Sequence, residues 1–475
     1  MSQRPFIAAL FAVSALSGCA ATPPSYTSKV VLPDQFLGES VRQSNLDSTP
    51  RRLQAWWTLF GDSQLDGYVA TALQQNLDLA QAMARTQQAR AGLSAATAAL
   101  LPSANLSGQA AKATQSLETP LGQVLSASPG FDRHGESYEL NLLANWEIDL
   151  SGGLQRSREA AKADYEASEA GIAATRLTIA SAVVDTYIVI RGLQARLDVA
   201  ERQVQTRRAL LEKVEKLYAE GLTPEVQVRQ ASASVSEAEA RIPALNVALD
   251  GAMNALDILL GTPAGTHRTE LTPHRSLPAV VRIAPAGTPS ELLRRRPDLI
   301  VAERHLTAAI ARKDAATTEY YPKFSLGALL GGATSVSSGN LFSDRASQSA
   351  VTLGLRWRVF DFARIDAQIK QAKGDEAQAL SAYRLAALRA TEDVENAYSA
   401  AANQSTQDAV LAQGVADLER ARSATEAAYQ AGAVSQIEVL GAEDAALRAR
   451  DARIQSMTGV SRASVAVFKS LGGDI

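Results

Sequence analysis

Val183-Val184-Asp185-Thr186-Tyr187 and, further along, Tyr218-Ala219-Glu220-Gly221 return as Val394-Glu395-Asn396-Ala397-Tyr398 and Tyr429-Gln430-Ala431-Gly432. Matched positions stand 211 residues apart (394 − 183; 432 − 221). Trp146 and Trp357 obey the same offset, as do Leu260-Gly261 and Leu471-Gly472. Upstream, Asp78-Leu79 matches Asp298-Leu299 and Pro102 matches Pro322 at an offset of 220 (298 − 78), so the first copy carries a loop nine residues longer between Pro102 and Trp146. A constant offset held over so long a stretch marks two copies of one unit. The soft prior of about three independent domains for a chain of 475 residues therefore gives way to a repeat.

Each copy reads as helix, β-hairpin and helical hairpin. A first helix is expected from Ser63 to about Leu100 and, in copy two, from about Ser290 to Glu319, where Thr288-Pro289-Ser290-Glu291 supplies a helix start. Pro102 and Pro322 stop these helices. Period-two alternation follows: Tyr138, Leu140, Leu142, Ala144, Trp146 and Ile148 against Glu139, Asn141, Leu143, Asn145, Glu147 and Asp149. In copy two Val351, Leu353, Leu355, Trp357 and Val359 alternate with Thr352, Gly354, Arg356, Arg358 and Phe360. Weaker partners at 104–110 and 324–330 make one hairpin per copy.

After the first hairpin, Val183, Ile190, Leu197, Val204, Leu211 and Tyr218 recur every seventh residue, with Ile172, Ile179, Leu193, Ala200 and Val214 on the complementary position. This heptad pattern imposes left-handed supercoiling on packed helices. A helix from about Ala163 to Ala219 would be about 85 Å long. Gly221-Leu222-Thr223-Pro224 turns the chain into a returning helix that ends near Leu260, and Ala431-Gly432-Ala433 does the same in copy two. Pro243 has Ile454 as its counterpart, so a kink there would make the copies inequivalent.

Fifty acidic against 47 basic residues leave a charge of −3, which offers no basic field for nucleic acid. The single cysteine, Cys19, excludes an internal disulfide framework and multi-cysteine metal sites. Residues 1–18 read as a secretory signal: Arg4, an apolar run from Pro5 to Leu16, then small residues. They end Leu16-Ser17-Gly18-Cys19, which resembles the bacterial lipobox; that resemblance implies cleavage before Cys19 and acylation of it, a covalent lipid (palmitate among its chains) being the only added group expected. Several acyl chains anchor stably. Ala20 follows, and lipoproteins resembling this one without Asp there are sorted to the outer membrane. Residues 19–62 read as a lipidated tether, 63–283 as repeat one and 284–475 as repeat two. No other run in the chain looks long and apolar enough for a membrane helix.

Strands of nine to eleven residues with one apolar face can cross a bilayer when tilted. Four cannot close a barrel, and lipid tolerates no unpaired strand edge, so partners must come from other chains. The fold class expected is mainly α with a β-barrel portion, built from two repeats.

Gln54-Ala55-Trp56-Trp57-Thr58-Leu59-Phe60-Gly61-Asp62-Ser63-Gln64-Leu65, with Gln75-Asn76-Leu77-Asp78-Leu79, resembles the start of the outer-membrane efflux lipoproteins of the nodulation-protein-T group. Glu291-Leu292-Leu293-Arg294-Arg295-Arg296-Pro297-Asp298 resembles the opening of that family's second repeat. The resemblance implies a homotrimer with a twelve-stranded barrel in the outer membrane of a Gram-negative cell and an α-helical periplasmic tunnel. It further implies the exit duct of a tripartite pump, passively carrying drugs or other toxic small molecules and meeting a periplasmic adaptor and an inner-membrane RND-type transporter. The arginine run 294–296 is read as a solvated helix face.

Family members narrow the tunnel at the helical turns, often with an acidic ring near a Leu-Leu-Asp-Ala-Gln segment. The matching stretch here is Val439-Leu440-Gly441-Ala442-Glu443, with Gly441 in place of the acid. Glu438, Glu443 and Asp444 are the candidate gate acids, and Gly221 and Gly432 the candidate adaptor-docking turns. Like charges around an axis attract cations and strain a closed state. Nothing points to an enzyme: the four histidines show no metal-ligand spacing, His267 and His274 read as solvated, and no nucleophile-elbow or phosphate-loop motif occurs. A structural or adhesive coiled-coil envelope lipoprotein without a pore is the alternative; a pump adaptor is opposed by the two-copy pattern.

Overall fold

The computed structural model describes residues 36, 55–279 and 295–473. The signal, Cys19 and the expected helix start at 288–291 lie outside the described residues. A 3-10 turn, Trp56–Phe60, precedes α1 (Ser63–Gln75), α2 (Leu77–Ala98), β1 (Ser103–Thr114), α3 (Pro120–Ser126), β2 (His134–Ile148), α4 (Gly153–Ala219), α5 (Glu225–Leu259) and the short α6 (Arg268–Leu271). The second half holds α7 (Pro297–Thr317), β3 (Lys323–Thr334), β4 (Ser347–Arg356), α8 (Phe362–Gln430) and α9 (Gln436–Ser470).

The long helices obey the repeat to the residue except at the start of α8, which begins two residues early (362 − 153 = 209). α5 and α9 have 35 residues each, and both their ends differ by 211 (436 − 225; 470 − 259). α4 has 67 residues and α8 has 69, each about 100 Å long, so α4 starts ten residues before the position the heptads indicated (163 − 153). α5 runs through Pro243 without a break. The reversals are identical: Gly221 and Gly432 have φ of 73° and 76°, Leu222 N–H bonds Leu217 O at 2.8 Å, and Ala433 N–H bonds Ala428 O at 2.8 Å. This is the six-to-one bond of a Schellman ending, which requires a left-handed residue and so selects glycine.

The first helix is two, not one. Asn76 closes α1 and caps α2, its Oδ1 accepting from Asp78 N–H (2.8 Å) and Leu79 N–H (3.1 Å) while its Nδ2 donates to Leu259 O at 2.8 Å. A short side chain that competes with the backbone for hydrogen bonds breaks a helix that alanine-rich composition alone would continue.

The four strands form one antiparallel meander in the order β1-β2-β3-β4, so the hairpins of the two copies join through β2 and β3. β4 runs from Ser347 to Arg356 and stops before Trp357, four residues earlier at each end than the alternation indicated. Trp357 instead donates its indole N–H to Tyr320 O at 3.0 Å, as Trp146 donates to Leu100 O at 2.9 Å. The two bonds are repeat equivalents, and each ties a strand end to the end of the helix before its hairpin.

The core gathers Leu65, Val69, Val183, Tyr187, Met253 and Leu256 around α1, α4 and α5. Trp56 is buried and stacks on Phe468 with ring centroids 4.8 Å apart. Within residues 55–62, which the sequence reading placed in the tether, Trp56 and Phe60 thus join the core and bury large apolar surfaces. α4 does carry a stretch long and apolar enough to cross a membrane, contrary to the sequence reading; its side chains Ile179, Val183, Val184 and Ile188 are spent in this core.

Replacing Asn76 with Ala removes a cap and leaves Leu259 O without its partner. Thermal unfolding of the purified protein should show a loss of about 1–3 kcal/mol; an unchanged midpoint would overturn the capping role.

Candidate functional site

The sheet has two chemically distinct faces. Register places Ala104, Ala144, Ala328 and Val351 in one row, with Leu106, Leu142 and Leu330 above and Trp146, Leu326 and Leu353 below. Intervening rows carry Asn105, Ser107 and Gln109 of β1, Glu139, Asn141, Asn145 and Glu147 of β2, and Gln348 and Thr352 of β4, interrupted by Leu143, Leu329 and Ala350 in the row of Asn105. Gln348 reaches across β3 to Asn141 Oδ1 at 2.8 Å, over Gly331, where a Cβ would meet Leu140 O at 2.2 Å. The apolar face suits lipid and the other suits water. β1 and β4 each present one unpaired edge.

Below the sheet, α4 packs on α5 and α9, and α9 on α8, so the long helices stand in the order α5–α4–α9–α8. α7 fills the groove between α4 and α8, while α2 packs on α4. Three arginine–aspartate pairs cross the α4–α9 seam: Arg462 with Asp185 at 2.7 Å, Arg196 with Asp451 at 2.8 Å, and Arg207 with Asp444 at 2.9 Å.

The candidate gate acids occupy the first turns of α9, each with a partner. Glu438 accepts from Ser435 N–H at 2.6 Å in a capping box, and is exposed. Glu443 lies 3.4 Å from Arg422 of α8. Asp444 is turned into the wall, bound by Arg207 of α4 and by Arg448 at 3.3 Å. Arg207 also donates to Ser234 O of α5 at 2.8 Å. Burial alone would lower its guanidinium, but Asp444 and Glu237 outweigh that and hold it above the ordinary value. One buried cation thus joins α4, α5 and α9 close to their tips. Nothing in the heptad register singled out Arg207, because its position matters only through what another helix places opposite it.

Two further cations organise the level partway along α4 and α8 where the returning helices α5 and α9 end. Arg296 is only 8% exposed, which corrects the solvated-face reading; Arg295 is exposed and Arg294 lies outside the described residues. Arg296 stands where copy one has Asn76 (296 − 220), donating to Asp298 at 2.7 Å, Asp393 at 2.9 Å and Ser470 O at 3.1 Å. Ser470 is the repeat equivalent of Leu259, so both copies fasten this junction to the end of the returning helix. Arg191, fully buried, donates to Gln64 Oε1 at 2.6 Å and Pro273 O at 2.9 Å, beneath Tyr187, whose phenol burial pushes up to about 12. His267 is not solvated either: its Nδ1 lies 2.7 Å from buried Asp257, whereas His274 is exposed. Among the described residues no group of His, Cys, Asp and Glu is placed to hold a metal ion.

The model of the outer membrane efflux protein family matches residues 69–262 and again 288–473, one segment on each copy. The chain is 32% identical to the pyoverdine export outer membrane protein OpmQ of Pseudomonas putida over 420 residues, 88% of each chain. It is 27% identical to nodulation protein T of Rhizobium leguminosarum bv. trifolii, over 90% of this chain and 88% of that one. The solved structure of the outer-membrane channel OprN superposes with a TM-score of 0.82 at 29% identity, covering 95% of this chain and 99% of that one. The family is one of outer-membrane channels with a barrel and a helical periplasmic part, and with its doubled match, its two-faced sheet and its shaft of long helices this chain belongs to the outer membrane efflux protein family.

Proposed function

We infer that this chain assembles as a homotrimer and serves as the exit duct of a tripartite efflux pump, a passive path for small molecules from the periplasm and an inner-membrane RND-type transporter to the outside. The observation that carries this is the four-stranded meander with one apolar face and two open edges. Three copies joined edge to edge make twelve strands, wide enough for an aqueous lumen, and leave no backbone group unpaired in lipid. Their helices continue the lumen as a tunnel through the periplasm. The chain supplies no energy source, so flux direction belongs to the transporter behind it.

The anchor in this reading is a lipid on Cys19, supported by the leader that precedes it. The periplasmic adaptor meets the tips at Gly221 and Gly432, where Leu222 is 70% exposed beside a rigid reversal. The constriction lies at the same tips. Glu438 and Glu443 supply the acidic lining, and Asp444, held by Arg207, braces the wall behind them.

Single-channel recording from purified protein in planar bilayers tests the duct: discrete, cation-preferring conductance from a trimer is expected, and no conductance under any gating condition, with a monomer in detergent, would sink it in favour of a poreless envelope lipoprotein. Glu438→Gln with Glu443→Gln should reduce cation preference; unchanged selectivity removes these acids from the lining. Asp444→Asn leaves Arg207 with only the exposed Glu237 carboxylate, and melting should show a loss of about 2 kcal/mol, the buried-pair figure discounted for partial exposure and for the remaining partner. Cys19→Ser should abolish palmitate labelling; retained label would place the acyl chains elsewhere.

A further inference from the structure

The water-facing side of the sheet is not polar throughout. Register sets Asn105, Leu143, Leu329 and Ala350 side by side in one row across the four strands. Leu143 stands directly opposite Leu329, and Leu329 opposite Ala350, so the three form a continuous apolar strip about 10 Å wide, two strand spacings. The row on its outer side carries Asn141 and Gln348, and the row towards the helices carries Asn145 and Thr352. The strip is therefore an apolar island on a polar wall.

It is also presented to solvent. Leu143 is 36% exposed. Leu329 has Gly331 two residues to one side and Gly327 two residues to the other, so no side chain on its own strand and face shelters it. Gly331 is required by packing, because a Cβ there would meet Leu140 O at 2.2 Å, but at Gly327 a Cβ would meet nothing nearer than Thr352 at 3.7 Å. The notch beside Leu329 is thus not forced by the fold. The lumen side of a membrane barrel ordinarily carries polar side chains, and an apolar strip facing water gains free energy only when another apolar surface covers it.

Charge indicates what that surface belongs to. Glu139 and Glu147 lie on the same face, four residues to either side of Leu143 and about 13 Å along the strand (143 − 139; 147 − 143). Within four residues of the strip on every strand, they are the only charged side chains on this face. Neither makes an ion pair or a side-chain hydrogen bond among the described residues. Lys323 and Arg356 lie six residues off, at the helix end of the sheet, and Lys323 is held by Glu319.

Resting on the duct reading above, we propose that Leu143, Leu329 and Ala350, with Glu139 and Glu147, form a transient binding site in the barrel lumen for apolar monocations on their way out. The apolar body lies on the leucines and the carboxylates on either side hold the charge. Three copies place three such sites around one lumen. Each covers one side of its occupant and encloses none of it, so residence is brief.

Naphthylmethyl-trimethylammonium and naphthalenesulfonate share an aromatic body and differ in charge, and tetramethylammonium has the charge without the body. In planar bilayers carrying the purified trimer, the aromatic cation should produce up to three discrete partial closures of the potassium current, tetramethylammonium none, and the sulfonate a block about tenfold weaker. Leu143→Ser with Leu329→Ser should raise the cation's half-blocking concentration about tenfold while potassium current persists. Glu139→Gln with Glu147→Gln should bring the cation and the sulfonate to similar half-blocking concentrations. If the leucine double variant does not assemble, Leu329→Ala alone should raise the half-blocking concentration about threefold. A conducting trimer that the aromatic cation does not block, a block unchanged by the leucine variants, or one equally strong for the sulfonate overturns the site and leaves the duct standing. A protein that carries no potassium current removes the duct on which the site rests.

Discussion

A strand edge cannot be left in hydrocarbon. Each unpaired N–H or C=O in a bilayer costs several kcal/mol, and β1 and β4 each offer a whole row of them. The meander is apolar on one face along its length, so the sheet belongs in lipid, yet it has only half the strands of the smallest single-chain barrels. Everything else follows from how that edge problem is met. Joining copies closes the barrel, closure creates a lumen, and the lumen must continue through the helices that hang from the strands. The indole bonds of Trp146 and Trp357, which fasten strand ends to helix ends in both copies, make barrel and shaft one continuous object.

The repeat explains the symmetry of the shaft, and its imperfections explain where function concentrates. The ends of the returning helices agree to the residue, and the Schellman reversals at Gly221 and Gly432 agree in φ and hydrogen bonding. At the upper junction the copies fasten the same two elements with different chemistry. Asn76 caps a helix and binds Leu259 O, whereas Arg296 spans to Asp298, Asp393 and Ser470 O. Copy one adds Arg191 and the Asp257–His267 contact, whose equivalents are Ala402 and the pair Phe468 and an unmatched linker.

Much of this is legible in residue order. Heptads, caps and turn glycines are local chemistry, and the repeat lets one half check the other, so the helical reversals and strand number can be read directly. The break at Asn76 escapes such a reading because a single polar residue in an alanine-rich run carries little weight until its Nδ2 finds Leu259 O, more than 180 positions away. The end of β4 is misplaced by it because alternation continues through Trp357, whereas the ladder stops at Arg356 opposite Lys323, where β3 begins. Arg296 reads as surface because an arginine run is ordinarily solvated, and only the carboxylates and carbonyls converging on it permit burial.

Residue order by itself determined the two copies, the amphipathic strands, the supercoiling helices and the outer-membrane efflux character, because each rests on periodicity or on a motif contained in a few neighbouring residues. Only the tertiary structure decided that β2 pairs with β3 to unite the hairpins, that Trp56 lies under Phe468, and that Arg207 joins three helices at once. Those contacts join positions tens to hundreds of residues apart. Their energies depend on what burial and geometry place opposite a side chain, and no local pattern encodes that.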